Sequence, residues 1–318
     1  MAFAEVALPL PLRRTFTYRV PENLAARAVP GAQVQVSFRR RATRGVIVSL
    51  APSSPLADAL DLGSVLPGEP LSAHLLALAR WIADYYVAPL GEALAAALPG
   101  GLEGFARSRA RKQAVADPVM RLALTGKLTL TPAQRTATTA ITKAITEDAF
   151  APFLLHGVTA SGKTEVYLRA AQAARDAGGQ TLVLVPEIAL GSQVVAMFRA
   201  RFGGRVGLLH SYLSLGERRR NWELARQGAL DVVVGARSAV FAPLPQLKLI
   251  VVDEEHEPAY KQSEQLRYHG RDTAVRRAQL LGIPVVLGSA TPSLESLANA
   301  ARGKYTLLRL PDRVEKRA

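Results

Sequence analysis

Cysteine is absent from all 318 residues. This excludes disulfides, thiolate-held zinc, iron–sulfur clusters and a cysteine nucleophile. Also missing is any uninterrupted apolar run near the ~18 residues a membrane-crossing helix needs, and Met1 to Leu12 has no basic stretch ahead of its apolar residues. No membrane partner is expected, and the sequence reads as cytoplasmic. Acidic residues are the minority, 26 against 40 basic, for a formal net charge of +14. The excess is spread along the chain, +6 over 1–130 and +8 over 131–318. Of the basic residues 32 are arginine, whose planar, weakly hydrated fork suits phosphate. Charge alone leaves two readings open, a surface that grips a polyanion and the solvated surface of an arginine-rich protein. The remaining composition, 49% hydrophobic and 21% charged, excludes wholesale disorder, and the length suits about two domains of ~150 residues each.

The first fifty residues alternate with period two: Val6, Leu8 and Leu10; Phe16, Tyr18 and Val20; Val34, Val36 and Phe38; Val46 and Val48. Broken at Pro30-Gly31, this predicts short antiparallel strands in a small sheet or barrel. Arg13, Arg14, Arg39, Arg40, Arg41 and Arg44 lie beside them, either as a solvated rim or as a grip on phosphates. Ala51 to Pro70 reads as a loop. Ser72 is placed to cap a helix carrying Leu75, Leu78, Ile82 and Tyr85, with Trp81, Tyr85 and Tyr86 expected in the core. A second short helix is expected over Glu92 to Leu98. From there to Leu130, Arg107, Arg109, Arg111 and Lys112 suggest a basic linker with one strand near Val119 to Leu124. The predicted organisation is a domain over 1–100, a linker over 101–129 and a second domain over 130–318.

In that second domain apolar runs alternate with helical stretches: Phe153 to Leu155, Leu182 to Val185, Val206 to Leu209, Val232 to Val234, Leu249 to Val252 and Val285 to Leu287. Strands apolar on both faces and separated by helices predict a parallel α/β sheet.

The first of these runs leads into Gly157-Val158-Thr159-Ala160-Ser161-Gly162-Lys163-Thr164 and then a helical stretch. This is a phosphate-binding loop in its strand–loop–helix context. Its backbone N–H groups and the helix N-terminus suit an anion, Lys163 reaches the β and γ phosphates, and the Thr164 hydroxyl holds Mg2+. The run ending at Val252 leads into Asp253-Glu254-Glu255-His256. Adjacent acids at a strand's C-terminal edge supply a metal-side carboxylate, Asp253, and a base for the attacking water, Glu254. His256 alternatively suggests a zinc ligand, but no cysteine or helically paired histidine accompanies it. Ser289 and Thr291, after the last run, read either as relays near Asp253 and His256 or as helix caps. Arg237, after Val234, reads as a phosphate contact or as part of a simple cap.

In order along the chain, GVTASGKTEVYL (157–168), LVLVPEIAL (182–190), GARSAVFAPL (235–244), LIVVDEEH (249–256), YHGRDTAVRRA (268–278) and GSATPSLES (288–296) resemble the PriA family of bacterial replication-restart helicases, within helicase superfamily 2. The start, Val6 to Pro9 and Thr15 to Tyr18, is similar to that family's domain for a DNA 3′ end. The resemblance implies a RecA-like P-loop ATPase lobe preceded by a small, mostly β DNA-binding domain. It implies ATP and Mg2+ as cofactors, with Gln134 contacting the adenine. Phe16, Thr17, Tyr18 and Arg39 to Arg41 would be DNA-binding in the first domain. Pro186, Glu187, His210, Ser211 and Arg237 would follow the single strand in the second. Lys261, Arg267, Tyr268, His269 and Arg271 would form a loop linking DNA to hydrolysis, a role that its mix of cations and stacking aromatics also suits; the other reading is a mobile basic loop. His256, Ser289 and Thr291 would carry that coupling. Where the family has an acid this chain has Thr17, and near Leu266 it lacks the family's tryptophan.

The resemblance further implies an ATP-dependent 3′-to-5′ DNA helicase acting on forked and single-stranded DNA with primosome and single-strand-binding proteins. The family's second motor lobe, arginine finger and cysteine-rich zinc region are expected beyond these 318 residues, which hold no zinc ligand set. Little turnover is therefore expected of them alone. Two other readings remain: a non-enzymatic DNA-binding module with a structural nucleotide site, and a different translocase, of branch-migration or restriction type.

Overall fold

The computed structural model describes residues 2–54, 56, 58–98, 129–186, 193–211 and 213–314. These fall into two units, one drawn from 2–98 together with 263–268, the other from 129–262 and 269–314. The basic stretch with its expected strand over Val119 to Leu124, and Glu187, lie outside the described residues.

In the first unit β1 (Ala2–Ala7), β2 (Phe16–Val20), β3 (Gln33–Phe38), β4 (Arg41–Ala51) and β5 (Ser64–Val65) form an antiparallel sheet in the order β2-β1-β4-β3-β5. Most of the alternating residues meet on one face, where Ala4, Val6, Tyr18, Val20, Val34 and Val36 form its core. In β4 it is Ile47 that joins them, while Val46 and Val48, the residues of the expected alternation, are buried outside that cluster because β4 is covered on both sides there. β1 ends before Pro9, which has no N–H for the ladder, so Leu8 and Leu10 fall beyond the strand. The stretch expected as a loop contributes β5, paired with β3. Then come α1 (Ala73–Tyr85) and α2 (Leu90–Ala96). α1 buries Leu75, Leu76, Leu78, Ala79, Ile82 and Ala83. The aromatic end is not core: Trp81 and Tyr85 stack on each other at 4.9 Å, and Tyr85 is 62% exposed.

The second unit is a seven-stranded parallel sheet, in the order β12-β6-β11-β10-β7-β9-β8. Its strands are β6 (Pro152–Gly157), β7 (Gln180–Leu184), β8 (Val206–Leu209), β9 (Val232–Gly235), β10 (Leu247–Val252), β11 (Val285–Ser289) and β12 (Thr306–Leu310). Between them lie α4 (Lys163–Asp176), α5 (Gln193–Phe202), α6 (Leu215–Arg226), α7 (Gly270–Leu281) and α8 (Leu294–Ala301), with α3 (Pro132–Thr146) ahead of β6. β7, β9 and most of β10 are buried on both faces, which is why they read as unbroken apolar runs. The strand that sequence periodicity missed, β12, lies at the sheet edge and alternates exposed with buried residues. Among the described residues no helix is long and apolar enough to cross a membrane.

This strand order positions the chemistry. β11 lies between β6 and β10, so the loop after β6, the acids after β10 and the hydroxyls ending β11 converge at adjacent C-terminal strand ends.

Candidate functional site

The phosphate loop is Val158 to Gly162, between β6 and α4. Gly162 caps α4 with φ of 80°, a conformation that favours glycine, and a Cβ there would stand 2.3 Å from Gln134 Nε2 and so would displace that amide. Lys163, the first residue of α4, donates to the Gly157 carbonyl at 3.1 Å and stands 3.5 Å from Glu254 Oε1. Thr164 follows it on the same turn. Ser161 Oγ is buried with no hydrogen-bond partner among the described residues. Two backbone bonds reach the loop from the end of β12 and beyond, Val158 N–H to Leu310 O and Val314 N–H to Ala160 O.

Gln134 does not face open space. Its Oε1 accepts from Thr131 N–H, closing a capping box at the start of α3, and its Nε2 donates to Ser161 O at 2.8 Å. The residue expected to contact the base thus also ties α3 to the phosphate loop.

Asp253 is gripped at both ends. Tyr167 Oη donates to its Oδ1 at 3.0 Å, and Tyr260 Oη donates to its backbone carbonyl at 2.6 Å. Burial, with Glu254 adding to it, pushes the Asp253 carboxyl up to about 6 against the opposing effects of the Tyr167 bond and Lys163. Glu254 has φ of 45°, an uncommon conformation for a non-glycine residue, next to Lys163. His256 bridges to β11: Nδ1 is 2.7 Å from Ser289 Oγ and Nε2 is 3.3 Å from Thr291 Oγ1. Neither hydroxyl caps α8, which Ser293 does. Ser289 Oγ instead also accepts from Thr291 N–H.

Glu255, the third residue of the acidic run, is fully buried and faces away from this cleft. Its carboxylate accepts from Arg271 Nη1 at 2.9 Å, Ser293 N–H at 2.7 Å, Ser293 Oγ at 3.0 Å and Ser296 Oγ at 2.9 Å. Sequence reasoning missed this node and both tyrosines. Most of their signal was available only as unexplained letters, Tyr167 within TEVYL, Glu255 within DEEH, Arg271 within YHGRDTAVRRA and Ser293 and Ser296 within GSATPSLES, while Tyr260 lies in none of these stretches.

Among the described residues no three His, Asp or Glu side chains gather to hold a metal. Mg2+ needs no such cluster, because it takes one or two protein oxygens and otherwise water and substrate phosphate. A hydroxyl on Thr164, a buried carboxyl on Asp253, a partnerless Ser161 hydroxyl and a lysine resting on a carbonyl and a carboxylate fit a magnesium-bound phosphate chain.

Arg237 opens a 3-10 turn (Arg237–Phe241) after β9, and its Nη1 donates to the carbonyls of Ala259 and Lys261. It therefore braces the segment after the acidic run. Arg277 of α7, fully buried, holds the same turn through the carbonyls of Val240 and Ala242. Lys261 is exposed and pairs with His269 in an isolated bridge, while Arg267 and Tyr268 belong to the stretch grouped with the first unit.

In the first unit the expected DNA trio splits, because neighbours on a strand face opposite ways. Tyr18 turns inward, buried, with its hydroxyl on Ser37 O, and so is a core residue. Thr17 faces the other way and pairs across β1 with Glu5, whose carboxylate accepts from both Thr15 and Thr17. A register shift between Glu5 and Val6 lies at this point in the pairing of β1 with β4. Phe16 packs edge-on to Phe38 at 4.8 Å, with Arg14 over the first ring and Arg39 over the second. Arg39 and Arg40 form the two-residue turn between β3 and β4, with φ of 48° and 62°.

The DEAD/DEAH box helicase model matches residues 131–300, and a model for the PriA 3′DNA-binding domain (3′BD) matches 5–99. Replication restart protein PriA of Chlamydia pneumoniae is 35% identical over 98% of this chain and 51% of its own length. The protein of that name from Bacillus subtilis is 49% identical over 61% of this chain and 24% of its own. That from Treponema pallidum is 39% identical over 98% and 47%. The chain thus spans at most about half the length of these relatives. A parallel-sheet lobe with a phosphate loop and acidic strand end, matched by a helicase model and preceded by a matched 3′DNA-binding domain, places the chain in the DEAD/DEAH box helicases, within the PriA replication-restart family.

Proposed function

We propose that the chain is the DNA-binding domain and first motor lobe of an ATP-dependent 3′-to-5′ DNA helicase that restarts stalled replication forks in the bacterial cytoplasm. The observation that carries this reading is Lys163 lying between Gly157 O and Glu254 Oε1, beside the partnerless Ser161 hydroxyl. A nucleotide phosphate would give that hydroxyl a partner and the ammonium group an anion in exchange for its present carbonyl and carboxylate contacts. Thr164 and Asp253 would hold Mg2+, which when bound neutralises charge on the β and γ oxygens. Glu254 would take a proton from the attacking water. His256, bonded to Ser289 and Thr291, carries any movement of the acidic run to the end of β11.

In the first unit the proposed ligand is a DNA 3′ end. Thr17 stands where the family's acid is expected, but Glu5 brings a carboxylate to that place from the neighbouring strand, with lone pairs left for a terminal hydroxyl. Forked and single-stranded DNA are the proposed substrates. Primosome and single-strand-binding proteins are the proposed partners. The second motor lobe, its arginine finger and a zinc region are proposed to belong to the remaining length of the relatives.

Lys163→Ala is expected to lower Mg-nucleotide affinity about 10- to 100-fold, the loss of one charged contact, and to leave fork binding unchanged. Unchanged nucleotide affinity would favour a DNA-binding module with a structural loop instead. With forked DNA these 318 residues are expected to hydrolyse ATP at less than ~1 per second, since a cation delivered from outside a lobe contributes ~10³ to 10⁵ in rate. Faster steady-state turnover overturns that part of the reading.

A further inference from the structure

The TEVYL stretch after the phosphate loop has so far no task beyond forming α4. Tyr167, one helical turn beyond Lys163, is fully buried, and its hydroxyl donates to Asp253 Oδ1. Any buried tyrosine needs a partner for its hydroxyl, so the bond alone would be unremarkable. Two facts set it apart. Its acceptor is the metal-side carboxyl of the proposed site, and the space it occupies is kept open by Gly288 of β11. A Cβ on residue 288 would stand 1.6 Å from Tyr167 Oη and 2.8 Å from Cζ. The glycine that opens GSATPS is thus required by a tyrosine from another stretch, and the two meet over a third, the acidic run.

We propose that Tyr167 is a positioning residue for Mg2+ binding: its hydroxyl fixes Asp253 Oδ1 and leaves Oδ2 as the oxygen that serves the metal and its water shell. This rests on Asp253 being the metal-side acid. A carboxylate on a short side chain rotates unless one oxygen is held, and a rigid bond from a buried ring holds it with little entropy left to lose when the ion arrives. Tyr260 acts on the same residue from the other side, fixing its backbone carbonyl.

The test uses a fluorescent ADP analogue bound to the 318-residue chain, titrated with Mg2+. Tyr167→Phe keeps the ring and removes only the hydroxyl. It is expected to raise the Mg2+ concentration for half-maximal effect about 3- to 10-fold, the size of one hydrogen bond to a charged group or slightly less, with unchanged nucleotide affinity in EDTA. Gly288→Ala, which drives a Cβ into the hydroxyl, is expected to shift the same titration while Tyr167 itself is intact. It also keeps the proposal testable should the phenylalanine variant fold poorly. Asp253→Asn separates the two levels. If it abolishes the Mg2+ effect while both Tyr167→Phe and Gly288→Ala leave the titration unmoved, the positioning role is overturned and the metal-side reading stands. If Asp253→Asn itself leaves the Mg2+ effect intact, the metal-side reading falls, and the proposal with it.

Discussion

Burial holds the Asp253 carboxyl at about 6, well above its ordinary value near 4, and this fixes a sign. A carboxyl raised on folding favours the folded state at low pH. Its contribution, up to about 3 kcal/mol, is fully present below the unfolded value and is lost as pH rises through about 6. Mg2+ favours the ionised form and so must displace the proton. Calorimetry of Mg-nucleotide binding in two buffers of different ionisation enthalpy is expected to show about half a proton released near pH 6 and almost none near pH 8. Asp253→Asn is expected to abolish the release, and its absence near pH 6 in the unsubstituted chain would contradict the assignment. At this scale the loop and the paired acids were legible in the sequence because their spacing is itself the chemistry. Glu5 was not, because only strand register brings it to Thr17, and the burial of Tyr18 was not, because alternation along a strand does not say which of its two faces the core will take.

Between elements Glu255 joins the end of β10 to α7 through Arg271 and to the start of α8 through Ser293 and Ser296. Its carboxylate is desolvated and fully bonded, so truncation leaves several buried donors without their acceptor. Glu255→Ala is expected to cost the second unit about 3 to 5 kcal/mol in denaturant unfolding. A change under ~1 kcal/mol would mean that the node relaxes or is wet. The acidic run predicted a site, yet only two of its four residues face the cleft as acids. A strand whose last four residues are all apolar gives no clue to the face its polar successors will choose, and that choice depends on α8, whose cap is Ser293 and not the hydroxyls nearer β11. β12 escaped notice because an edge strand needs no unbroken apolar run.

Over the whole molecule the charge of +14 is spread through both halves, and at one place it sits in a costly backbone conformation. A two-residue hairpin turn with both φ values positive is the natural place for Asn-Gly, yet β3 and β4 are joined by Arg39-Arg40. Left-handed backbone costs a non-glycine residue of order 1 kcal/mol, so the two arginines hold this turn against their own preference. Replacing them with Asn-Gly is expected to raise the stability of the first unit by about 1 to 2 kcal/mol and to weaken fork binding. The slope of log affinity against log salt should fall by about 1 to 2. Gained stability with an unchanged salt slope would leave the arginines without a role in DNA binding. The layout of a small β domain followed by a parallel α/β lobe was legible from the switch in apolar period near residue 130. The exposure of Tyr85 at the end of α1 was not, because periodicity reports which face is apolar without reporting how far along the helix that face is covered.

The Gln134 amide has a consequence for recognition by imitation. Thr131 N–H and Ser161 C=O offer it one donor and one acceptor. The N6–H and N7 edge of adenine offers the same pair. The protein's own backbone is therefore a stand-in for the base, and an adenine that engages this amide exchanges equivalent bonds. Guanine, with O6 and N7 both accepting, would leave Gln134 Oε1 without a donor. In such an exchange, discrimination comes from what the wrong base fails to return.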